Sequence, residues 1–488
     1  MKSFELPHRK TYLHVILAAF MGVSVSQLIH PINGLTEEGV MLLAIVIPTI
    51  YLWLTVNTHW VSLLFLALLT ATGMMTPNQV WAGSLGHFAI MLVLCFSLIS
   101  EGLNENGVIE KIATWFMTRK FVNGRPYAFI AMFLASNLVI GIFMQNLALA
   151  VMYVALTEKI CQRIGVKRGE SLYRALMLGT FWGSGVLSIA SPIAKTLPNI
   201  LIGLVDTQFD RQITYAQWLL IGVPFSVVMF GVIMLVIRGL NPDVSALKNL
   251  DIDHMKKNSQ PLNKRGLIML IAMGFLIAVI LLPELFLIFN LFTEISTYFV
   301  NLGVIVPAIF TVAILSVIHV KDKENNEPVM NFTNCSKRVP INLLLFVSAV
   351  VIMGTPLASE TTGIIVWMTH LLTPLTTLLS PFWLFTALII IAVGLTNFLS
   401  NTVVITVFFS LGAAVFSDGT MNPLVFSVLM AFAASMACLT PSSTITAPLY
   451  YGPKHLSVGE VIKVNLAFLF LASVVLIAFI PIVSWVIG

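Results

Sequence analysis

Apolar residues run through this chain in stretches of about 20, the length an α-helix needs to cross the hydrocarbon core of a bilayer. Runs at 11–29, 39–56, 59–75 and 87–104 read as four spans, with a loop at 76–86. After a charged stretch, 105–125, come apolar regions at 126–157, 172–205 and 215–237. A polar segment, 238–265, precedes runs at 266–283, 297–318, 342–359, 361–381, 382–416, 424–452 and 461–486. Four of these runs are interrupted by polar residues. The first pair of interruptions lies at Phe143-Met144-Gln145-Asn146-Leu147 and Phe398-Leu399-Ser400-Asn401-Thr402, with Asn146 and Asn401 standing 255 positions apart. Each is followed by a second: Ser191-Pro192-Ile193-Ala194-Lys195-Thr196-Leu197-Pro198-Asn199 in the first half, and the stretch from Thr440 and Pro441 to Thr446 and Pro448 in the second. Polar, proline-containing backbone is tolerated at membrane depth only where it is buried in protein or lines a cavity. Paired interruptions at matching places in two halves point to a transporter's substrate site. Pro192, Pro198, Pro441 and Pro448 are the residues expected to form the breaks.

Loop charge orients the runs. Lys111, Arg119, Lys120 and Arg125 precede the region 126–157, and Lys159, Arg163, Lys167 and Arg168 follow it. Basic flanks mark the cytoplasmic side, so 126–157 enters and leaves by the same face, as a tight pair of full spans or as a re-entrant hairpin, and the polar Gln145-Asn146 at its apex favours the hairpin. The second hairpin, 382–416, is followed by 417–423 without a basic residue and is expected to enter from outside. The expected fold is an all-α polytopic membrane protein of about eleven transmembrane helices plus two oppositely oriented hairpins in an inverted repeat. Residues 1–86 supply N-terminal scaffold helices, 87–237 the first repeat, 238–341 a linker and middle scaffold helices, and 342–488 the second repeat. The N-terminus is then cytoplasmic and the C-terminus outside, in a cell inner membrane.

Composition narrows the class. Of 488 residues, 58% are hydrophobic and 10% charged, and the mean hydropathy is +0.96. Soluble domains carry about 25% charged residues, so a large soluble enzyme is excluded. The net charge of +5 sits mainly in a few loops and reports orientation rather than nucleic-acid binding. Cys95, Cys161, Cys335 and Cys438 show no disulfide or metal spacing, and His59, His87, His370 and His455 have no ligand partners at helical spacing. No cofactor or metal is expected. Gly183-Ser184-Gly185 raises a membrane-embedded hydrolase as a distant alternative, but no acidic or histidine partner accompanies it.

The chemistry of the breaks follows from what a stopped helix exposes. Its N-terminal end carries partial positive charge and unpaired N–H groups, which suit anions. Asn146, Gln145, Ser400, Asn401 and Thr402 add amide and hydroxyl groups that donate and accept. Stretches 126–157, 175–205, 382–416 and 424–459 contain no Asp or Glu, whereas a cation or proton carrier needs an intramembrane carboxylate on its path. The charged residue inside a break is Lys195. Positive helix ends, neutral amides and one lysine point to a small anion as the substrate.

At these residues the chain resembles the divalent anion:sodium symporter family, carriers of succinate, citrate and related acids. The resemblance rests on the two hairpins, the Ser400-Asn401-Thr402 signature and the later Thr/Pro motifs. It implies a homodimer of scaffold and transport domains with an elevator motion. It also implies carboxylate binding by Asn146, Thr196, Ser400, Asn401, Thr402 and Thr446. The chain departs from the family where Gln145-Asn146-Leu147 replaces the first Ser-Asn-Thr. The later pattern is altered to Thr196-Leu197-Pro198-Asn199 and Thr446-Ala447-Pro448-Leu449. Lys195 stands where sodium-coupled relatives carry a small residue, so its ammonium is expected to take the place of a sodium ion. A tethered cation favours sodium-independent exchange of dicarboxylates such as succinate, malate and 2-oxoglutarate. The alternative is sodium-coupled di- or tricarboxylate symport, with sodium near Ser400 and Asn401.

Overall fold

The computed structural model describes residues 8–211, 213–249, 262–322, 325–368, 370, 378–416, 419–441, 443–451 and 455–487. These residues form an α-helical bundle with a single two-stranded antiparallel ribbon, His319–Asp322 against Asn325–Pro328, in which Val320 faces Glu327. Helix starts carry the chemistry that helix starts require. Thr36 accepts from the Gly39 N–H, while Thr76 with Gln79 and Thr214 with Gln217 form reciprocal capping boxes. Pro126, Pro381 and Pro423 open their helices, where a missing N–H costs nothing.

Among the described residues, six helices are long and apolar enough to cross a membrane, or seven if one bent pair counts as a single span. Other expected crossings appear as shorter apolar pieces, including Pro126–Gly141, Pro381–Leu395, Asn401–Val415 and Pro423–Ala434. That division is what interrupted spans should produce. Exposed aromatic faces, such as Phe275 and Phe470, each 69% exposed, suit contact with hydrocarbon. The chain is a polytopic all-α membrane protein.

Several boundaries differ from the sequence expectation. The single span at 297–318 is instead two helices, Thr293–Leu302 and Ile305–Val317, bent by 76°. Gly303 between them has φ +66°, a left-handed conformation through which a right-handed helix cannot continue. The expected loops 76–86 and 105–125 contain helices Pro77–Gly83 and Val108–Met117. The first hairpin runs on to Arg163, and the last span divides into Val458–Ala478 and Ile480–Ile487. The second broken helix has only the short Ala447–Tyr450 as its far limb. The expected span at 361–381 and the linker at 238–265 fall partly outside the described residues.

Both halves contain a helical hairpin followed by a broken helix. In the first these are Pro126–Gly141 with Asn146–Arg163, then Ser171–Val186 with Thr196–Phe209. In the second they are Pro381–Leu395 with Asn401–Val415, then Pro423–Ala434 with Ala447–Tyr450. Helix 196–209 is central: it packs against 88–105, 341–358, 401–415 and 423–434. Phe225 of helix Tyr215–Gly239 lies 4.5 Å from the Phe432 ring and 5.2 Å from Phe479, tying the halves together through buried aromatic area.

Candidate substrate site

The first hairpin closes through its own side chains. Ser136 Oγ and the Tyr153 hydroxyl lie 2.6 Å apart, and the Phe133 and Tyr153 rings meet edge-on at 5.3 Å, so the limbs run antiparallel. The tip spans Ile142 to Gln145, where helix Asn146–Arg163 begins without a side-chain cap. Helix Phe88–Glu105 grips this tip from outside it. The Gln145 backbone N–H donates to Ser100 Oγ at 3.0 Å and its Nε2 to Ser97 Oγ at 3.2 Å. The Asn146 backbone N–H donates to the Ala194 carbonyl at 3.1 Å, which joins the tip to the first break and leaves the Asn146 side chain half-buried beside it.

That break satisfies its freed carbonyls one at a time, as buried backbone must. Ser226 Oγ donates to Leu187 O at 3.0 Å and Trp218 Nε1 to Ile189 O at 2.9 Å. Asn199 Nδ2 donates to Pro192 O at 2.7 Å, and its own Oδ1 accepts from the Tyr215 hydroxyl at 2.9 Å. Gly222 is required here: a Cβ on it would lie 2.7 Å from Ala190 O, at the end of the 3-10 turn Leu187–Ala190 that leads into the unwound chain. Pro192 is buried in the unwound segment, while Pro198 sits in the first turn of Thr196–Phe209.

Lys195 occupies the N-cap of that helix and is only 6% exposed. Its ammonium donates to the Gly185 carbonyl at the C-terminal end of the preceding limb, where the helix dipole is negative. Among the described residues no carboxylate lies within ion-pair distance of it. A buried cation held by one neutral carbonyl is undercompensated. Thr196 beside it is half-buried.

The second half is neutral. Its tip runs from Thr396 to Ser400, the uncapped start of helix Asn401–Val415. Ser400, Asn401 and Thr402 are all half-buried. Thr396 Oγ1 lies 3.0 Å from both Asn401 Oδ1 and Ala434 O, giving three oxygens in one cluster. Asn397, absent from the sequence reading, welds this tip to the second break. Its Oδ1 accepts the Cys438 and Leu439 N–H groups at 2.8 and 2.9 Å, and its backbone oxygen accepts from Thr440 Oγ1 at 2.8 Å. Thr446 is fully buried, and its hydroxyl has no hydrogen-bond partner among the described residues. Pro441 is exposed in the unwound stretch and Pro448 stands in the first turn of the short helix.

Gln145, Asn146, Lys195 and Thr196 thus converge in one cluster, and Ser400, Asn401 and Thr402 adjoin the second break that contains Thr446. No described hydrogen bond joins the two tips directly. Helix 196–209 mediates between them: its start bears Lys195 and Thr196, and its side packs on 401–415, with the Phe209 and Phe409 rings 5.8 Å apart. The signal for Asn397 was present in the sequence as a polar residue one turn before Ser400. Sequence alone does not distinguish an amide that faces a ligand from one that braces the backbone.

Comparison with known proteins gives concordant matches. A family model described as citrate transporter matches residues 40–431. The sodium-dependent dicarboxylate transporter SdcS of Staphylococcus saprophyticus is 23% identical over 481 residues, covering 95% of this chain and 89% of that protein. A protein of the same name from Staphylococcus aureus is 28% identical over 223 residues, 43% of this chain and 41% of its own length. The crystal structure of the Alcanivorax borkumensis YdaH transporter superposes with a TM-score of 0.54 over 98% of this chain and 99% of that one. At 14% identity that likeness is one of fold.

Proposed function

We propose, from the premise that this chain belongs to the citrate transporter family, that it carries small dicarboxylates of the succinate, malate and 2-oxoglutarate class across a membrane. A family of transporters leaves no role for the hydrolase alternative raised by Gly183-Ser184-Gly185. The observation that carries the substrate class is the buried, carboxylate-free ammonium of Lys195 beside two uncapped helix starts. One carboxylate of the substrate would meet Lys195, Thr196 and Asn146. The other would meet Ser400, Asn401 and Thr402 at the second tip, with the Thr446 hydroxyl free to donate. Sodium-dependent transport of dicarboxylates by the SdcS relatives supports the same class.

The preferred mode is exchange. A cation tethered at Lys195 cannot leave with the substrate, and an empty site holding an unpaired buried charge is costly to move through the membrane. The carrier therefore returns loaded. Rigid-body movement of the hairpins and broken helices against the remaining helices, in a homodimer, is the expected route, with the N-terminus cytoplasmic, the C-terminus outside, and the bacterial inner membrane as the site.

A second reading has its own support. Thr396 Oγ1, Asn401 Oδ1 and Ala434 O form an oxygen cluster of the kind a sodium ion accepts, so these residues would hold the ion in a symporter. Uptake of radiolabelled succinate into proteoliposomes separates the two. Dependence on internal succinate without sodium supports exchange, and dependence on external sodium into empty vesicles supports symport. Transport of neither kind sinks the dicarboxylate reading.

A further inference from the structure

One residue in the second break is held from both sides. Cys438 gives its N–H to Asn397 Oδ1 at 2.8 Å, and its carbonyl accepts from Asn465 Nδ2 at 2.8 Å and from the Tyr451 hydroxyl at 2.5 Å. Asn465 lies in the middle of the apolar helix Val458–Ala478 and is fully buried, as is Asn397. Asn465 Oδ1 in turn accepts from Trp182 Nε1 at 3.0 Å, and its Nδ2 donates to the Tyr451 hydroxyl at 2.6 Å. The Trp182 indole is itself fixed, stacked on Phe468 at 4.6 Å.

The partners determine which way each amide faces. Asn397 meets two backbone N–H groups and must present its oxygen to them, while its Nδ2 donates to Val393 O at 2.7 Å. Asn465 meets a backbone carbonyl and an indole N–H, so its nitrogen faces Cys438 and its oxygen faces Trp182. The two side chains do opposite jobs on the same residue: Asn397 accepts and Asn465 donates.

We propose that Asn397 and Asn465 are a pair of positioning residues that clamp Cys438 between them, fixing the second break against the hairpin tip in the geometry substrate binding requires. The clamp also ties the second half to the first, because Trp182 belongs to helix Ser171–Val186, the limb whose end holds the Lys195 ammonium. Unwound backbone has no ladder to define it, and two amides whose side-chain oxygen and nitrogen are each hydrogen-bonded supply that definition. This inference rests on the dicarboxylate reading for its ligand, not for its geometry.

Opposite roles give opposite responses to one substitution. Asn397→Asp keeps both acceptor bonds to the break, while its second oxygen replaces the donor to the Val393 carbonyl within its own helix end. Asn465→Asp loses both donors and turns a carboxylate toward the Cys438 carbonyl. Succinate Kd is measured on purified carrier for Asn397→Asp, Asn397→Leu, Asn465→Asp and Asn465→Leu. Leucine at either position should weaken binding by about tenfold or more, the effect of leaving buried backbone groups unpaired. Aspartate should recover most of that loss at 397 and none at 465. The double leucine variant should lose less than the product of the two single losses, since both act on one residue.

A second readout needs no substrate. With Cys95, Cys161 and Cys335 changed to alanine, maleimide labelling of buried Cys438 should be slow in the parent and in Asn397→Asp, and fast in Asn397→Leu and Asn465→Asp. Equal behaviour of aspartate and leucine at 397 in both assays, or unchanged binding and labelling in Asn465→Asp, overturns the clamp. If the parent carrier binds no succinate, the substrate reading fails instead, and the labelling pattern still decides this inference.

Discussion

The two breaks perform the same structural task with different materials. In the first half the hairpin tip meets the break through a backbone bond, Asn146 N–H to Ala194 O, and the charge at the junction is the side chain of Lys195. In the second half the tip meets the break through a side chain, Asn397, and the junction is neutral. The difference teaches that corresponding elements need not divide ligand binding equally. A backbone joint leaves the Asn146 side chain outside the joint, beside a buried ammonium that has no carboxylate partner among the described residues. A side-chain joint consumes an amide yet leaves an oxygen cluster at Thr396, Asn401 and Ala434. On the proposed reading, the first half-site would supply most of the electrostatic attraction for a dianion, and the second would supply fit.

The largest test removes the asymmetry. Lys195→Met should reduce succinate exchange by about a hundredfold or more, because removing one member of a buried ion pair strands the other. Lys195→Gly restores the small residue of the sodium-coupled pattern and should damage exchange likewise, while opening room for a free cation. If either variant exchanges succinate at the parent rate without sodium, the half-sites are not divided by charge and the tethered-cation reading fails.

A finer test compares the two asparagines that open the hairpins' second limbs. Asn146→Ala leaves the tip joint intact, since that joint uses the backbone N–H, so its effect isolates ligand contact. A rise in KM of about tenfold with little change in melting temperature is expected, the size of one lost hydrogen bond to a charged group. Asn401→Ala removes both a ligand contact and the Thr396 partner, so KM and melting temperature should both shift. If the two variants melt and bind alike, the joints are equivalent and the comparison is wrong.

How much of this was legible follows from the physics of each feature. The breaks at Asn146, Lys195, Asn401 and Thr446 stood out because polar residues inside apolar runs have no reason to be there unless something satisfies them. Hairpin 126–157 was read from basic residues on both flanks with polar Gln145-Asn146 at the apex, and the helices there are Pro126–Gly141 and Asn146–Arg163, the second running one and a half turns further. The bend at Gly303 was invisible because apolar periodicity continues on both sides, and only the left-handed φ reveals it. Helix Val108–Met117 was hidden by Lys111 and neighbouring charges, which read as loop although they cover one face of an amphipathic helix. Asn397 and Asn465 were missed because their importance lies in partners 41 and 27 residues away, at Cys438, a pairing no local pattern encodes.

The smallest predicted effect lies at the face where the halves meet outside the apolar segments. His455 Nδ1 lies 2.5 Å from the Tyr173 hydroxyl and 3.9 Å from Glu158, which also pairs with Arg168. Burial holds the His455 ring below its ordinary 6.5, Glu158 partly opposes that shift, and Arg168 reinforces it. A histidine harder to protonate when folded than when unfolded means the unfolded chain binds more protons in the window just below 6.5. Stability from this contact is therefore complete above 6.5 and declines as pH falls toward the folded value. The parent should melt a degree or two lower at about pH 5.5 than at about pH 7.5 because of this ring, the shift being small since the group is partly solvated. His455→Gln keeps an acceptor for Tyr173 but cannot titrate, so it should lose that part of the pH slope. An unchanged slope would assign the contact to packing alone. In that case the two halves are joined at this face by the packing of Tyr450 and Tyr451, whose rings lie 4.9 and 5.5 Å from Phe181.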